Sequence, residues 1–249
     1  MSNYKLYSAS LLSGILLILI FPGFNFEILA WVSLVPLFIA TRKTSPLTSL
    51  KLGFITGFVF YIGVIYWIVI AMTKYGSIPM AIGIAVLILL SGYLAIYLSL
   101  FTFLLSYFCN QQSSISNQLR YILAPFLWVT LELIRAHFLT GFPWASLGYS
   151  QFKTLPIIQA ADITGVYGVS FIIVMVNTAI ASFIESIYEK DRRRFVTRYI
   201  LVTAFLIITS SAYGFWKLSL FNSPLTTHHS PLKIALIQGN IEQNRKWDD

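Results

Sequence analysis

Two ionisable residues inside an apolar run, Glu132 and Arg135, are the first place where this chain could do chemistry. A charged side chain at the centre of a bilayer helix costs about 2.5–3.5 kcal/mol on insertion scales, so it is read as functional by default. Glu132 and Arg135 are three apart, share one helix face and can neutralise each other. An internal ion pair and a working site therefore stand side by side as readings. The residues that follow, Leu139-Thr-Gly-Phe-Pro-Trp144 and Gly148-Tyr-Ser-Gln151, mix turn formers with aromatics. An interfacial aromatic belt accounts for Trp144 and Tyr149. It does not account for the Gly-Phe-Pro-Trp order, because a belt needs aromatics and no defined turn. Gly141 and Pro143 are expected to shape a loop that presents Trp144 and Tyr149. Irregular backbone at this depth survives only where protein covers it or water reaches it.

Other reactive residue types offer less. Cys109 is the single cysteine, which excludes an internal disulfide and a Cys-rich metal site. No neighbouring His or acid lowers its pKa, so it is not expected to be a nucleophile. His228-His229 sits in a polar linker without further ligands, and neither metal nor cofactor is expected. Asp162 precedes an apolar run as a candidate N-cap. Gly165 and Gly168, three apart, fit close helix packing. The basic run Lys190 to Arg198 reads as a topology anchor that also touches anionic headgroups. The last seventeen residues, Lys233 to Asp249, differ from everything before them: a short apolar strand, Ile234 to Ile237, opens into a polar loop with Gln238, Gly239 and Asn240. Such a strand buries nothing alone and reads as the first strand of a soluble α/β domain. Residues in loops at strand ends often line active sites, which makes Gln238 and Asn240 candidates.

The elements that position these residues are set by composition. Of the 249 residues, 57% are hydrophobic and 10% charged, and the mean hydropathy is +0.76. Soluble domains average about 25% charged residues, so a polytopic membrane protein is expected. Twenty Phe and fourteen Tyr suit lipid-facing helices and interfacial belts. The net charge of +8 does not point to nucleic acid, because the basic residues lie between apolar spans. A span needs about 20 apolar residues. The candidates are Leu6–Phe21, Ile28–Ala40, Leu52–Met72, Ile78–Phe108, Leu119–Leu139, Ile163–Ile187 and Phe195–Leu220. The first two are short and read as a coupled hairpin that tilts or thins the bilayer. A signal peptide at the first is disfavoured, since Phe21-Pro22-Gly23-Phe24 is a poor cleavage site. The fold class expected is therefore an all-α polytopic membrane protein of about seven transmembrane helices, followed by the first β-strand of an incomplete α/β domain. The boundaries are 1–220 for the membrane domain, 221–232 for a linker and 233–249 for the start of the soluble domain.

Charge sets the orientation. With the N-terminus inside, ten Lys and Arg fall in the cytoplasmic connections and two, Lys74 and Lys153, in the opposite short ones. By the positive-inside rule the N-terminus is cytoplasmic. Seven spans then deliver the chain after Lys217 to the outer face, the periplasm of a bacterium.

Thr140-Gly-Phe-Pro-Trp144 with Gly148-Tyr-Ser-Gln151, then Ile237-Gln-Gly-Asn-Ile241 and Gln243-Asn-Arg-Lys-Trp247, together resemble apolipoprotein N-acyltransferase. The order and separation of the two motif groups match that family along the whole chain. The resemblance implies a multi-spanning inner-membrane domain joined to a periplasmic nitrilase-like (carbon–nitrogen hydrolase) domain. It also implies ping-pong acyl transfer. A Glu acts as base, a Cys thiolate takes the acyl chain from a phospholipid donor as a thioester, and a Lys helps hold the oxyanion. The acyl group passes to the α-amine of an apolipoprotein's diacylglyceryl-cysteine. Two-step transfer through a strong nucleophile splits a hard reaction into two easier ones.

The chain departs from that pattern in one respect. The family's Glu, Lys and Cys lie beyond the strand at Lys233, so no catalytic residue carries over; Glu242 is too close to the strand and Cys109 is in the wrong domain. The polypeptide by itself, a C-terminally truncated form, is expected to be inactive. Trp144, Tyr149, Gly141 and Pro143 are expected to form the membrane-surface wall of a lipid entrance, steadied by Glu132 and Arg135. A non-catalytic scaffold or lipid-binding relic is the alternative. A small permease subunit is less favoured, because beyond Glu132, Arg135 and Asn177 the spans offer almost no polar path.

Overall fold

The computed structural model describes residues 2–109, 114–187 and 193–221. All regular structure among them is helical: α1 (Asn3–Leu19), α2 (Val35–Ala40), α3 (Pro46–Ile65), α4 (Trp67–Lys74), α5 (Met80–Cys109), α6 (Ser114–His137), α7 (Leu155–Ile158), α8 (Ala161–Ser186) and α9 (Arg193–Phe221), with 3-10 turns at Glu27–Trp31, Phe138–Thr140 and Leu147–Gln151. The expected strand Ile234–Ile237, with Gln238 and Asn240, lies outside the described residues, as do Lys190, Arg192 and His228-His229.

Among the described residues, four helices are long and apolar enough to cross a membrane: α3, α5, α8 and α9. At 1.5 Å per residue the 30 residues of α5 reach about 45 Å, beyond the roughly 30 Å of a hydrocarbon core. Length and apolarity alone thus give fewer spans than the seven expected. α1 has 17 residues, and α6 has the length but carries Arg120, Glu132 and Arg135.

The stretch read as a second span, Ile28–Ala40, is not one helix. It is a 3-10 turn followed by the six-residue α2, with Pro36 in the first turn of α2. Apolar composition suggested a span, but the 3-10 turn ends at Val32 (φ −131, ψ −7) and α2 starts only after Leu34. Backbone groups left over by this path find partners on other helices. Asn177 Oδ1 accepts from Leu34 N at 2.8 Å, and Asn177 Nδ2 donates to Ala30 O at 2.8 Å. Ser13 Oγ accepts from Leu37 N at 2.9 Å. Arg120 Nη1 donates to Thr41 O at 2.9 Å, closing the C-terminal end of α2. Leu52–Met72 is likewise divided, into α3 and α4 at Tyr66, and α4 buries no residue.

α3 starts where Ser45 accepts from Thr48 N and Pro46 takes the first position, which needs no N–H. Its small residues let α5 approach closely. A Cβ added at Gly53 would lie 2.5 Å from Leu98 O, and one at Gly57 would lie 2.9 Å from Ala95 Cα. Thr102 Oγ1 donates to Ser49 O at 2.7 Å and Ser99 Oγ to Leu50 O at 2.8 Å across the seam. Small residues and interhelical hydrogen bonds are how helices associate where the hydrophobic effect gives no drive. Gly165 does something other than close packing: with φ 64, and only Tyr167 Cδ2 at 3.7 Å from its Cβ position, it kinks the start of α8. Asp162 is not an N-cap; its carboxylate pairs with Lys217 and accepts from Tyr213 Oη, tying α8 to α9.

Candidate functional site

Near the end of α6, Glu132 and Arg135 are 5% and 2% exposed. No direct ion pair joins them among the described residues; each turns to the loop that follows. Glu132 Oε1 accepts from Leu147 N at 2.7 Å. Arg135 Nη1 donates to Trp144 O at 2.6 Å and Nη2 to Ser146 Oγ at 3.1 Å. The guanidinium also lies 5.6 Å from the Tyr61 ring centre, a cation–π distance. The ion-pair reading is thus replaced by a brace. The returning loop offers an N–H to one carboxylate oxygen and a C=O to the guanidinium, partners of the kind that buried charges require, while Glu132 Oε2 is buried with no hydrogen-bond partner among the described residues.

The braced loop is backbone that a free chain avoids. Leu139 (φ 50), Gly141 (φ 78) and Ala145 (φ 60) all adopt left-handed conformations. A Cβ at Gly141 would sit 2.0 Å from Ala136 O, so the position requires glycine. For Leu139 and Ala145 such conformations cost on the order of 1–3 kcal/mol each and persist only where surrounding bonds over-determine them. Those bonds are present: Phe142 N donates to Arg135 O at 2.9 Å, Ser146 Oγ to Pro143 O at 3.2 Å, and Glu132 and Arg135 hold the rest.

The outcome is an outward-facing aromatic group. Trp144 is 57% exposed and packs edge-on with Trp67 at 6.0 Å and with Phe142 at 5.1 Å. Tyr149 is also exposed, on the 3-10 turn Leu147–Gln151. That turn is seated on two other elements. Gly148 N donates to Ser170 Oγ of α8 at 2.8 Å, and Gln151 Nε2 to Glu27 O at 2.9 Å. Beneath the loop, a cavity between Tyr61, Tyr97, Trp128, Glu132 and Arg135 measures about 20 Å³, room for about one water. Arg135 and Glu132 Oε1 are committed to the loop, which the arrangement thereby positions.

The structure brings together Glu132, Arg135, Gly141, Pro143 and Trp144, with Tyr149 on the adjoining turn. Tyr61, Trp67, Ser146 and Ser170 were not picked out by sequence reasoning. Ser146 lies within reach of the turn signal around Pro143. The other three come from α3, α4 and α8, and no local spacing marks them.

This loop and its brace fall within residues 13–179, which match the family model described as the apolipoprotein N-acyltransferase N-terminal domain. The chain belongs to the apolipoprotein N-acyltransferase family. Relatives bearing that name include one from Geobacter metallireducens, 40% identical over 242 residues, covering 97% of this chain and 44% of the relative. One from Haemophilus influenzae is 29% identical over 248 residues, covering 100% and 45%. One from Wigglesworthia glossinidia brevipalpis is 33% identical over 247 residues, covering 98% and 46%. The chain spans less than half the length of these apolipoprotein N-acyltransferases. Four apolar helices and this family membership make it a membrane-embedded protein.

Proposed function

We propose that this chain is the membrane part of an acyltransferase that moves a fatty acyl chain from a phospholipid to the N-terminal diacylglyceryl-cysteine of apolipoproteins. Relatives that carry the name apolipoprotein N-acyltransferase support the reaction class. In this reading the chemistry belongs to a nitrilase-like domain that begins at Lys233. There a Cys thiolate attacks the ester carbonyl of the donor and the lysophospholipid leaves. The acceptor amine then attacks the thioester and the thiolate leaves. In this reading α1, the broken apolar stretch Glu27–Ala40 and α6 join the four long helices as seven crossings, and the Lys and Arg bias of the connections sets the N-terminus in the cytoplasm of a bacterial inner membrane and residues after Lys217 outside.

The observation that carries the proposal is the braced loop. Two buried charges hold strained backbone so that Trp144, with Tyr149 beside it, faces outward. Gly141 and Pro143 set the turn, and these aromatics form the wall past which lipid chains enter. Gln238 and Asn240 are assigned to the facing side, on the soluble domain. Since both substrates carry lipid chains, a wall at the membrane surface spares them transfer into water.

The test replaces the aligned region of the Geobacter metallireducens relative with this chain and assays N-acylation of a diacylglyceryl peptide in phospholipid vesicles. Transfer by the chimera, slowed by Trp144→Ala at unchanged abundance, is the expected result. A fall in abundance that parallels the rate makes the residue structural and sinks its role as a wall. Thioester formation on this chain alone would overturn the assignment of chemistry to the soluble domain.

A further inference from the structure

The brace fixes backbone: its bonds reach the carbonyl of Trp144 and the hydroxyl of Ser146. The indole of Trp144 is more than half exposed, and none of those bonds touches it. We propose that Trp67, on α4, is the positioning residue that holds this ring in the setting through which lipid enters. The proposal rests on the reading of Trp144 as a wall and extends it to a second helix.

Two rings meet the Trp144 indole, and they are anchored differently. Phe142 lies edge-on at 5.1 Å, but it belongs to the same loop, two residues away. Trp67 lies edge-on at 6.0 Å, with an angle of 75° between the ring planes. Edge-to-face pairs at such separations attract, the positive edge of one ring against the negative face of the other. A half-exposed indole bounded by one ring of its own loop keeps other rotamers open, and a ring from another element closes them. Trp67 supplies that ring.

The placement of Trp67 fits this task better than it fits packing. α4 buries no residue, so Trp67 is not there to fill the core. Its backbone is nevertheless held. A Cβ added at Gly83 of α5 would lie 3.3 Å from Val69 Cγ1 and 3.6 Å from Val69 Cα, so α4 rests on α5 at Val69. Trp67 and Val69 are two residues apart, about 200° around the helix, which turns Trp67 away from α5. An aromatic belt alone would explain an exposed ring at the membrane surface. Tyr66, the neighbouring residue, is such a ring: it is exposed and has no ring partner among the described residues. Trp67 differs from it by the contact with Trp144.

The test uses the chimera in nanodiscs of phosphatidylethanolamine and phosphatidylglycerol, labelled with fluorotryptophan and read by fluorine NMR. The Trp144 line is identified by its loss in Trp144→Phe. Trp67→Ala should turn one narrow Trp144 line into a broad or split one, and Trp67→Phe, which keeps a ring on α4, should narrow it again. Acyl transfer is measured on the same variants at varied donor concentration. Trp67→Ala should lower kcat/KM for the donor by about twofold to tenfold, the change in population that one lost aromatic contact brings. Trp67→Phe should recover most of that loss, and Tyr66→Ala should change neither readout. In a Trp144→Ala background, Trp67→Ala should have no further effect, because it acts through that ring.

A Trp144 line that stays narrow in Trp67→Ala overturns the proposal. So does a loss that adds to that of Trp144→Ala, or an equal loss from Tyr66→Ala. Should Trp67→Ala also disturb the line of the buried Trp128, Trp67→Leu is read in its place against the same outcomes. Transfer left unchanged by Trp144→Ala would instead overturn the wall itself, and the proposal with it. A slowed Trp144→Ala beside a narrow line in Trp67→Ala overturns the positioning role alone.

Discussion

Two irregular segments interrupt the helices, residues 20–34 and residues 138–151, and they are held by different chemistry. The first is braced by neutral groups: Asn177 bonds Leu34 N and Ala30 O, and the charge of Arg120 acts only beyond it, at the C-terminal end of α2. The second is braced by Glu132 and Arg135. Gln151 links the two through Glu27 O. The contrast shows that stray backbone groups inside this bundle can be satisfied without charge. Charge therefore does something further in the second segment. A guanidinium is planar and rigid, and its fork fixes two acceptors in one geometry where an amide or ammonium fixes them less firmly. The acceptors fixed here are the carbonyl of Trp144 and the hydroxyl of Ser146, on either side of the left-handed Ala145. Precision at the loop that carries Trp144 is what the charges add.

The largest effect should come from breaking the charged brace. Arg135→Leu removes both charge-assisted loop bonds, to Trp144 O and Ser146 Oγ, at about 1.5–3 kcal/mol each. Thermal unfolding in detergent should show it. Arg135→Lys should recover only part, since one ammonium does not span Trp144 O and Ser146 Oγ together. A loss below about 1 kcal/mol for the leucine variant would mean that the charges do not hold the loop. Next is Asn177→Leu, which strands Leu34 N and Ala30 O for about 2–3 kcal/mol in all. Its effect should stay in the first segment: stability falls while acyl transfer per folded chimera is unchanged. A specific loss of transfer would erase the distinction between the two segments.

A smaller, matched pair compares the turns. Gly141→Ala meets Ala136 O at 2.0 Å as well as a left-handed φ, whereas Gly23→Ala has the φ of 114 but nothing within 4 Å. Gly141→Ala should cost about 2–3 kcal/mol and Gly23→Ala about 1 kcal/mol, read from unfolding midpoints. Equal costs would show that the crowding under Gly141 relaxes freely.

How much of this was visible in the chain follows from which interactions are local. Ile78–Phe108 and Ile163–Ile187 lie close to α5 and α8, because a long apolar run leaves a membrane helix as its natural form. Ile28–Ala40 misled for a related reason: apolar content reports burial, not the path of the backbone. What permits a broken path there is Asn177, 143 residues from Leu34, and no window of sequence connects them. The loop was legible through Gly-Phe-Pro-Trp, since Gly141 and Pro143 are turn chemistry. The true partners of Glu132 and Arg135 were not. Helical spacing suggested that they face each other, and only the returning loop shows that both are drawn upward. Tyr61 and Ser170 were invisible because the site takes them from α3 and α8.

The smallest expected change in stability is the one that tests function most directly. Trp144 is exposed and donates nothing to the brace, whose bonds reach its carbonyl and not its ring. Trp144→Ala should therefore cost under about 1 kcal/mol in unfolding, as surface substitutions do. Its loss as a wall should still slow acyl transfer by about tenfold, equivalent to about 1.4 kcal/mol in the barrier. Phe26→Ala removes an exposed ring from the first segment, where no entrance is assigned. It should change neither quantity. If both substitutions slow transfer equally, exposed aromatics serve only to seat the chain in the membrane, and the charged brace loses its claim to be holding something in particular. If only Trp144→Ala does, the cost of burying Glu132 and Arg135 is explained by what the loop presents.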